Sequence, residues 1–157
     1  MIEITGDIWE IESDWICIPT NAEYKMDGKA VMGAGLARQA REKIPNCDSI
    51  LGHWLRKHGN HVVPIGVHHV TQRRQVVLAF PTKMAWRDPS PLGLIQQSCN
   101  ELRVLWQAVL QSKGIRTKVS LPRIGCGLGG ASWEEIKPIA ERHFNDPSFQ
   151  IINYAQA

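Results

Sequence analysis

Hydrophobic and polar positions follow two different periods along this chain. Short apolar runs of strand type fall at 2–4, 15–18, 62–67, 76–80, 117–121 and 149–154. Between them, apolar residues recur every three or four positions, as on the buried face of a helix. Strand signals that alternate with helix signals predict an α/β fold with a sheet between helices.

Four helices are predicted, each with a recognisable start or end. The first covers 33–43 and is stopped by Pro45. The second starts at Asn46 or Asp48, ends at Gly59, and presents an apolar face formed by Ile50, Leu51, Trp54 and Leu55.

The third predicted helix, 91–113, has a proline in its first turn and Gly114 after its end. Its expected buried stripe is Ile95, Cys99, Leu102, Leu105 and Val109. The fourth starts at a capping box, Ser132 to Glu135, and turns inward Trp133, Ile136, Ile139 and Ala140. The fold class that follows is a three-layer α/β/α arrangement with a central mixed sheet, in a single domain over 1–157.

Composition narrows the class of protein without naming a function. The chain has 157 residues, 43% hydrophobic and 21% charged, and a net charge of +3, which suits an anionic ligand or nucleic acid. The four cysteines lack metal-site or redox spacing, so we expect buried reduced thiols. No histidine pair has metal-site spacing, and no apolar run approaches a membrane span. We therefore predict no metal, no membrane contact and a cytoplasmic location.

Two glycine-rich loops carry the main chemical signal. Gly33-Ala34-Gly35 opens the first predicted helix, and four glycines fall between Gly125 and Gly130, just after a predicted strand. Such runs leave backbone N–H groups uncovered and free to turn toward an anion, especially at a helix start. Two such loops in one domain predict a diphosphate held between them.

A dinucleotide-binding fingerprint is the obvious alternative for the first loop. It fits poorly, because Arg38 occupies the third small-residue position and a dozen loop residues separate the turn from its strand. Other predicted strands also end in polar or glycine-containing segments, at 6–8, 19–21 and 80–83. In an open α/β sheet, ligands bind where such loops diverge from the carboxyl ends of strands.

These motifs, in this order, resemble macrodomains, which are ADP-ribose-binding α/β/α modules. The segments that carry the resemblance are 6–8, 19–21, 31–37, 80–83 with Trp86 and Arg87, and 122–130 with Trp133. The chain looks most like the lysine-dependent branch. That branch contains terminal ADP-ribose protein glycohydrolases and DNA-ADP-ribose glycohydrolase antitoxins.

The resemblance implies a role for each matching position. Asp7 would accept a hydrogen bond from the adenine amino group beside Ile8, and Asn21 would face the distal ribose. The other implied ligand contacts, mostly through backbone, are Met32, Gly33, Ala34, Gly35, Leu36, Pro81, Thr82, Arg123, Ile124, Gly125, Cys126, Gly127, Leu128 and Gly129. ADP-ribose would be ligand or product, with no resident cofactor.

Lys83 matches the catalytic lysine of that branch. A partly desolvated amine beside the cationic Arg87 would be partly uncharged near neutral pH, and so able to attack C1 of the distal ribose. The glycine loops would fix the diphosphate so that the sugar carbon meets this amine. The implied activity is removal of ADP-ribose from a modified DNA base or protein side chain.

One departure from the branch leaves the reaction open. Protein-directed members carry an acid directly after the Gly-Cys-Gly-Leu segment, where this chain has Gly129. A non-catalytic ADP-ribose reader and a phosphatase acting on ADP-ribose 1″-phosphate therefore remain alternatives. Trp9 and Trp86 are candidates for stacking on a base, nucleic acid is a candidate partner, and a monomer is expected.

Overall fold

The computed structural model describes residues 1–70 and 72–154, so residue 71 and residues 155–157 of the predicted domain lie outside it. Its strands are β1 (Ile2–Thr5), β2 (Trp15–Thr20), β3 (Val63–Val70), β4 (Arg73–Pro81), β5 (Val119–Pro122) and β6 (Phe149–Asn153). Its α-helices are α1 (Gly35–Lys43), α2 (Cys47–His58), α3 (Leu92–Lys113) and α4 (Trp133–His143). A short 3₁₀ turn, Gly127–Gly129, was not predicted from the sequence.

The strands form one mixed sheet in the order β1-β6-β5-β2-β4-β3. All neighbouring pairs are parallel except β3 with β4, which is antiparallel. The predicted fold class, a mixed sheet between helices, is confirmed. Strands β5, β2 and β4 lie side by side, so their carboxyl ends form one edge at which three loops leave the sheet.

Side chains that alternate along the central strands build two separate cores. Ile16 and Ile18 of β2 pack on one face with helices α1 and α2, whereas Cys17 points into the other core with α3 and α4. Along β4, Val77 and Leu78 divide in the same way. A strand buried on both faces reads as a continuous apolar run, which is why β2 and β4 were visible in the sequence.

Helix ends agree with the sequence to within a few residues, but one predicted cap is wrong. Asn46 precedes α2 in the left-handed region, with φ 62° and no side-chain cap hydrogen bond. Ser132 does cap α4, because its side chain accepts from the backbone N–H of Glu135 at 3.3 Å. Gly114 ends α3 with φ 67°, a conformation that favours glycine.

Several predicted core positions need correction. Ile50 and Leu105 are exposed, whereas Trp106 completes the buried stripe of α3. Trp9, expected to be free for stacking, is buried, and its Nε1 donates to Gln39 at 2.7 Å. Tertiary packing decides which face of a helix is buried, because the helical period alone leaves the direction of an apolar stripe uncertain by one position.

Three of the four thiols are buried, as predicted, and Cys126 is half-buried. Burial raises the pKa of Cys47 to about 11 and that of Cys99 to about 12. Among the residues the structure describes, no helix combines the length and apolarity needed to cross a membrane.

Candidate ligand cleft and its lysine

A cavity of about 800 Å³ opens at the carboxyl ends of β5, β2 and β4. This volume lies in the range typical of small-molecule sites. It is bounded by the segments that follow the three strands and by the start of α1. The topology therefore brings together segments that lie up to about a hundred residues apart in the sequence.

Most of the predicted ligand residues line this cavity. They are Asn21, Met32, Gly33, Ala34, Gly35, Leu36, Thr82, Lys83, Arg123, Gly125, Cys126, Leu128 and Gly129. The lining also contains residues outside the predicted set, namely Pro19, Val31, Ala37, Trp86, Arg87, Ser90 and Pro122. Most of these adjoin a predicted motif, but Ser90 carried no sequence signal and enters the site through tertiary packing alone.

Five predicted residues lie outside the lining. Asp7 is exposed, and its carboxylate accepts from the backbone N–H of Trp9 at 3.0 Å. It follows β1, which β6 separates from β5, so strand spacing alone puts it about 10 Å to the side of the β5 loop. Ile8, Pro81 and Ile124 are buried, and Gly127 is exposed at the start of the 3₁₀ turn.

Gly33 and Gly35 form the first wall of the cleft. Both are exposed, and a Cβ added to either would meet no atom within 4 Å. Ala34 between them is extended and precedes the first helical residue, Gly35, without a side-chain cap. The N–H groups at the start of α1 are thus available to an anion in the cleft.

Gly125 to Gly129 form the second wall, which is packed against the protein. Gly125 has φ +76°, and a Cβ there would lie 2.5 Å from Cδ1 of Ile95. The carbonyl of Gly129 accepts from the backbone N–H of Ser90 at 2.9 Å. A Cβ at Gly129 would also overlap the Ser90 hydroxyl, so any larger side chain at position 129 requires Ser90 to move.

Lys83 ties its own loop to the second wall of the cleft. It is half-buried, and its Nζ donates to the carbonyls of Trp86 at 3.1 Å and Leu128 at 3.0 Å. An uncharged amine has two hydrogens for these acceptors and keeps one lone pair, whereas the ammonium keeps a third N–H. The two carbonyls therefore orient the amine in either protonation state.

Asn21 lines the cleft but uses its polar groups within the protein. Its Nδ2 donates to the carbonyl of Val31 at 3.2 Å, and its Oδ1 accepts from the N–H of Glu23 at 2.9 Å. These bonds tie the end of β2 to the segment that leads into the first wall. In this structure the Asn21 side chain therefore fixes the position of the cleft-lining segment at Val31.

Two cations at the cleft are each stacked on a tryptophan. The Arg87 guanidinium lies 5.0 Å from the ring centre of Trp86, and that of Arg123 lies 5.6 Å from the ring centre of Trp133. Arg123 also faces Glu3 at 3.8 Å, and the Lys137 hydrogen bond lowers the pKa of that carboxyl. Trp86 is 54% exposed at the cleft wall, so its ring is accessible from solvent.

The thiol of Cys126 belongs to the second wall. Burial raises its pKa, so the group is an uncharged thiol near neutral pH and does not repel an anion. Within 1–70 and 72–154, no group of three or more His, Cys, Asp or Glu side chains is arranged to hold a metal. The chemistry of the cleft thus comes from backbone N–H groups, two guanidinium groups and one amine.

Known proteins are related to this chain in sequence and in fold. No family model matches the chain. The DNA ADP-ribosyl glycohydrolase of Mycobacterium tuberculosis is 32% identical over 113 residues, which are 68% of this chain and 30% of that protein. The chain thus spans about 30% of the length of this curated relative.

Solved structures share the fold over almost the whole chain. The macrodomain of Mycobacterium tuberculosis DarG matches with a TM-score of 0.75 at 22% identity, covering 100% of this chain and 99% of the other. Thermosipho africanus DarTG in complex with ADP-ribose matches with a TM-score of 0.68 at 23% identity, covering 95% of this chain and 39% of the other. The chain therefore has the macrodomain fold, and its sequence is similar to part of a DNA ADP-ribosyl glycohydrolase. Among proteins with this fold it is similar to the DarG macrodomains.

Proposed function

We propose that the cleft binds ADP-ribose with its diphosphate between the two glycine walls. The start of α1 offers backbone N–H groups to an anion, the 125–129 loop forms the facing wall, and Arg87 and Arg123 add positive charge. The adenosine would extend toward Asp7 and Ile8, and the distal ribose would lie beside Lys83. The structure of DarTG with ADP-ribose, which shares this fold, supports the choice of ligand.

We further propose that the domain removes ADP-ribose from a modified macromolecule, with Lys83 as the catalytic residue. The amine would attack C1 of the distal ribose and form a C–N bond as the bond from C1 to the modified group breaks. The electron pair leaves with that group, which takes up a proton, and water then releases ADP-ribose and restores the amine. The observation that carries this proposal is the Lys83 amine, which lies at the cleft between the backbone carbonyls of Trp86 and Leu128.

A modified DNA base is the substrate that the comparisons favour. The matching curated relatives are named DNA ADP-ribosyl glycohydrolases. The acid of the protein-directed branch is replaced by Gly129, and the Ser90 hydroxyl occupies the space beside it. With a glutamate-linked substrate, this domain would therefore lack the acidic side chain that resolves the intermediate in that branch.

A non-catalytic reader is the second candidate, because the two hydrogen bonds of Lys83 also serve to tie the loops together. The deciding experiment measures release of ADP-ribose from thymidine-linked and glutamate-linked conjugates by wild type, Lys83→Ala and Lys83→Arg. We expect wild type to cleave the thymidine-linked conjugate, and both variants to lose about 100-fold or more in turnover. Calorimetry with ADP-ribose serves as the control for an intact cleft.

The outcomes separate the candidates. Lys83→Ala with full activity on every conjugate that wild type cleaves would exclude the lysine mechanism. Binding of ADP-ribose by wild type without release from any conjugate would establish the reader. Phosphate release from ADP-ribose 1″-phosphate would indicate a phosphatase.

A further inference from the structure

The short connection between α2 and β3 lies behind the lysine, outside the cleft. None of its residues, 59–62, lines the cavity. Yet the side-chain Nδ2 of Asn60 donates to the backbone carbonyl of Lys83 at 3.1 Å, and it also approaches the sulfur of Met84 at 3.8 Å. Asn60 therefore holds the backbone of Lys83 without access to a ligand.

This bond replaces a missing strand partner. Strand β3 pairs with β4 only as far as Val63 opposite Ala79. Among residues 1–70 and 72–154, no strand therefore neighbours the last part of β4 and the residues after it on that side. On the other side, the carbonyl of Thr20 accepts from the N–H groups of Thr82 at 3.0 Å and Lys83 at 3.3 Å. Asn60 supplies a hydrogen bond on the side without a strand, so the Lys83 backbone is hydrogen-bonded on both sides.

The Asn60 segment is itself anchored to α3. The Glu101 carboxylate accepts from the backbone N–H of Val62 at 3.2 Å and lies 3.0 Å from Nδ1 of His61. A continuous set of contacts thus runs from α3 through the connection to the Lys83 backbone. Such anchoring limits the positions that the Asn60 amide can take.

The other half of the Asn60 amide is unsatisfied. Its Oδ1 is buried and has no hydrogen-bond partner among the described residues. A buried polar atom without a partner destabilises a fold, and an apolar side chain would avoid that cost. The donor side of the amide is the part that the structure uses.

We infer that Asn60 is a positioning residue for the catalytic lysine, an inference that rests on the function proposed above. Asn60 fixes the Lys83 backbone and hence the point from which the side chain reaches between Trp86 and Leu128. A displacement of about 1 Å at a reacting group can lower a rate by about 100-fold even when the ligand still binds. Asn60 thus acts on the rate of the chemical step and leaves ADP-ribose affinity unchanged.

The test compares Asn60→Ala with Asn100→Ala, a control that removes an exposed asparagine side chain from α3. For Asn60→Ala we expect kcat on the cleaved conjugate to fall about tenfold or more, with KM and the ADP-ribose Kd within about twofold of wild type. Asn100→Ala should match wild type in all three. Asn60→Asp, which keeps the shape but removes the donor, should reproduce the loss of kcat if Asn60→Ala does not fold.

A second readout does not depend on turnover. The rate at which an acylating reagent modifies Lys83, measured by mass spectrometry against Lys113 and Lys118 as internal references, should rise about threefold or more in Asn60→Ala as the amine leaves its two carbonyls. Lys83 acylation equal to wild type would overturn the inference, whatever the turnover. A parallel loss of kcat and ADP-ribose affinity would also overturn it, since that indicates a general structural role. Absence of turnover in wild type would reject only the proposed function.

Discussion

The structure explains glycine differently at two positions in the cleft walls. At Gly33 the space beside Cα is empty and faces the cleft, so no residue that the structure describes excludes a side chain there. At Gly125 the backbone is in the left-handed region, and Ile95 fills the space where a Cβ would lie. A substitution at Gly33 therefore tests ligand binding, whereas a substitution at Gly125 tests the stability of the fold.

Gly125→Ala should destabilise the protein by about 1–3 kcal/mol, because it combines a strained φ with a clash against a buried isoleucine. Gly33→Ala is the matched control and should change the free energy of unfolding by less than about 0.5 kcal/mol. Urea denaturation of both variants measures the difference. Equal stabilities would show that Ile95 and the loop relax at little cost.

Among the secondary-structure elements, α4 has the clearest local start signal. Ser132 accepts from the N–H of Glu135 and supplies one of the hydrogen bonds that a helix start otherwise lacks. The cap was readable from the sequence because Ser and Glu stand three positions apart before an apolar face.

Ser132→Ala should therefore lower the free energy of unfolding by about 1 kcal/mol. Ser112→Ala, at the exposed C-terminal turn of α3, removes a hydroxyl that caps no helix start and should have almost no effect. Thermal and urea unfolding of Ser132→Ala and Ser112→Ala would measure the two changes in the free energy of unfolding. A loss in Ser112→Ala as large as that in Ser132→Ala would contradict the capping role.

Elements were more predictable from sequence than faces and contacts. Strands β2 and β4 were predicted from their continuous apolar runs, and each α-helix lies within a few residues of its predicted range. The orientation of the α3 stripe failed at Leu105, because Trp106 competes for the same core and its Nε1 finds the buried carbonyl of Thr117. Ser90 and Asn60 were not foreseen as parts of the site, since their partners lie on segments distant in sequence.

At the scale of the whole molecule, two cores on opposite faces of the sheet hold buried thiols. Cys99 lies in the core under α3 and α4, and Cys47 in the core under α1 and α2. Desolvation raises both thiol pKa values above the ordinary 9.0. The folded protein thus keeps these protons to higher pH than the unfolded chain does.

The thiol contribution to stability is complete below about pH 9 and is lost as pH rises toward the folded pKa values. We expect the free energy of unfolding to fall from about pH 9 to about pH 11, and to fall less steeply in Cys99→Ala than in wild type. Denaturant unfolding at a series of pH values gives both slopes. Parallel slopes in the two proteins would exclude a role for the Cys99 thiol.

The proposed function depends above all on the cleft between the two glycine walls holding the diphosphate of ADP-ribose. The decisive measurement is calorimetry of ADP-ribose binding to wild type, Gly33→Glu and Gly33→Gln, because either side chain enters open space in the cleft without backbone strain. We predict saturable binding to wild type, a loss of affinity in Gly33→Glu of about tenfold or more, and a smaller loss in the uncharged Gly33→Gln. Absence of binding to wild type, or equal affinity in wild type and Gly33→Glu, would contradict this role of the cleft.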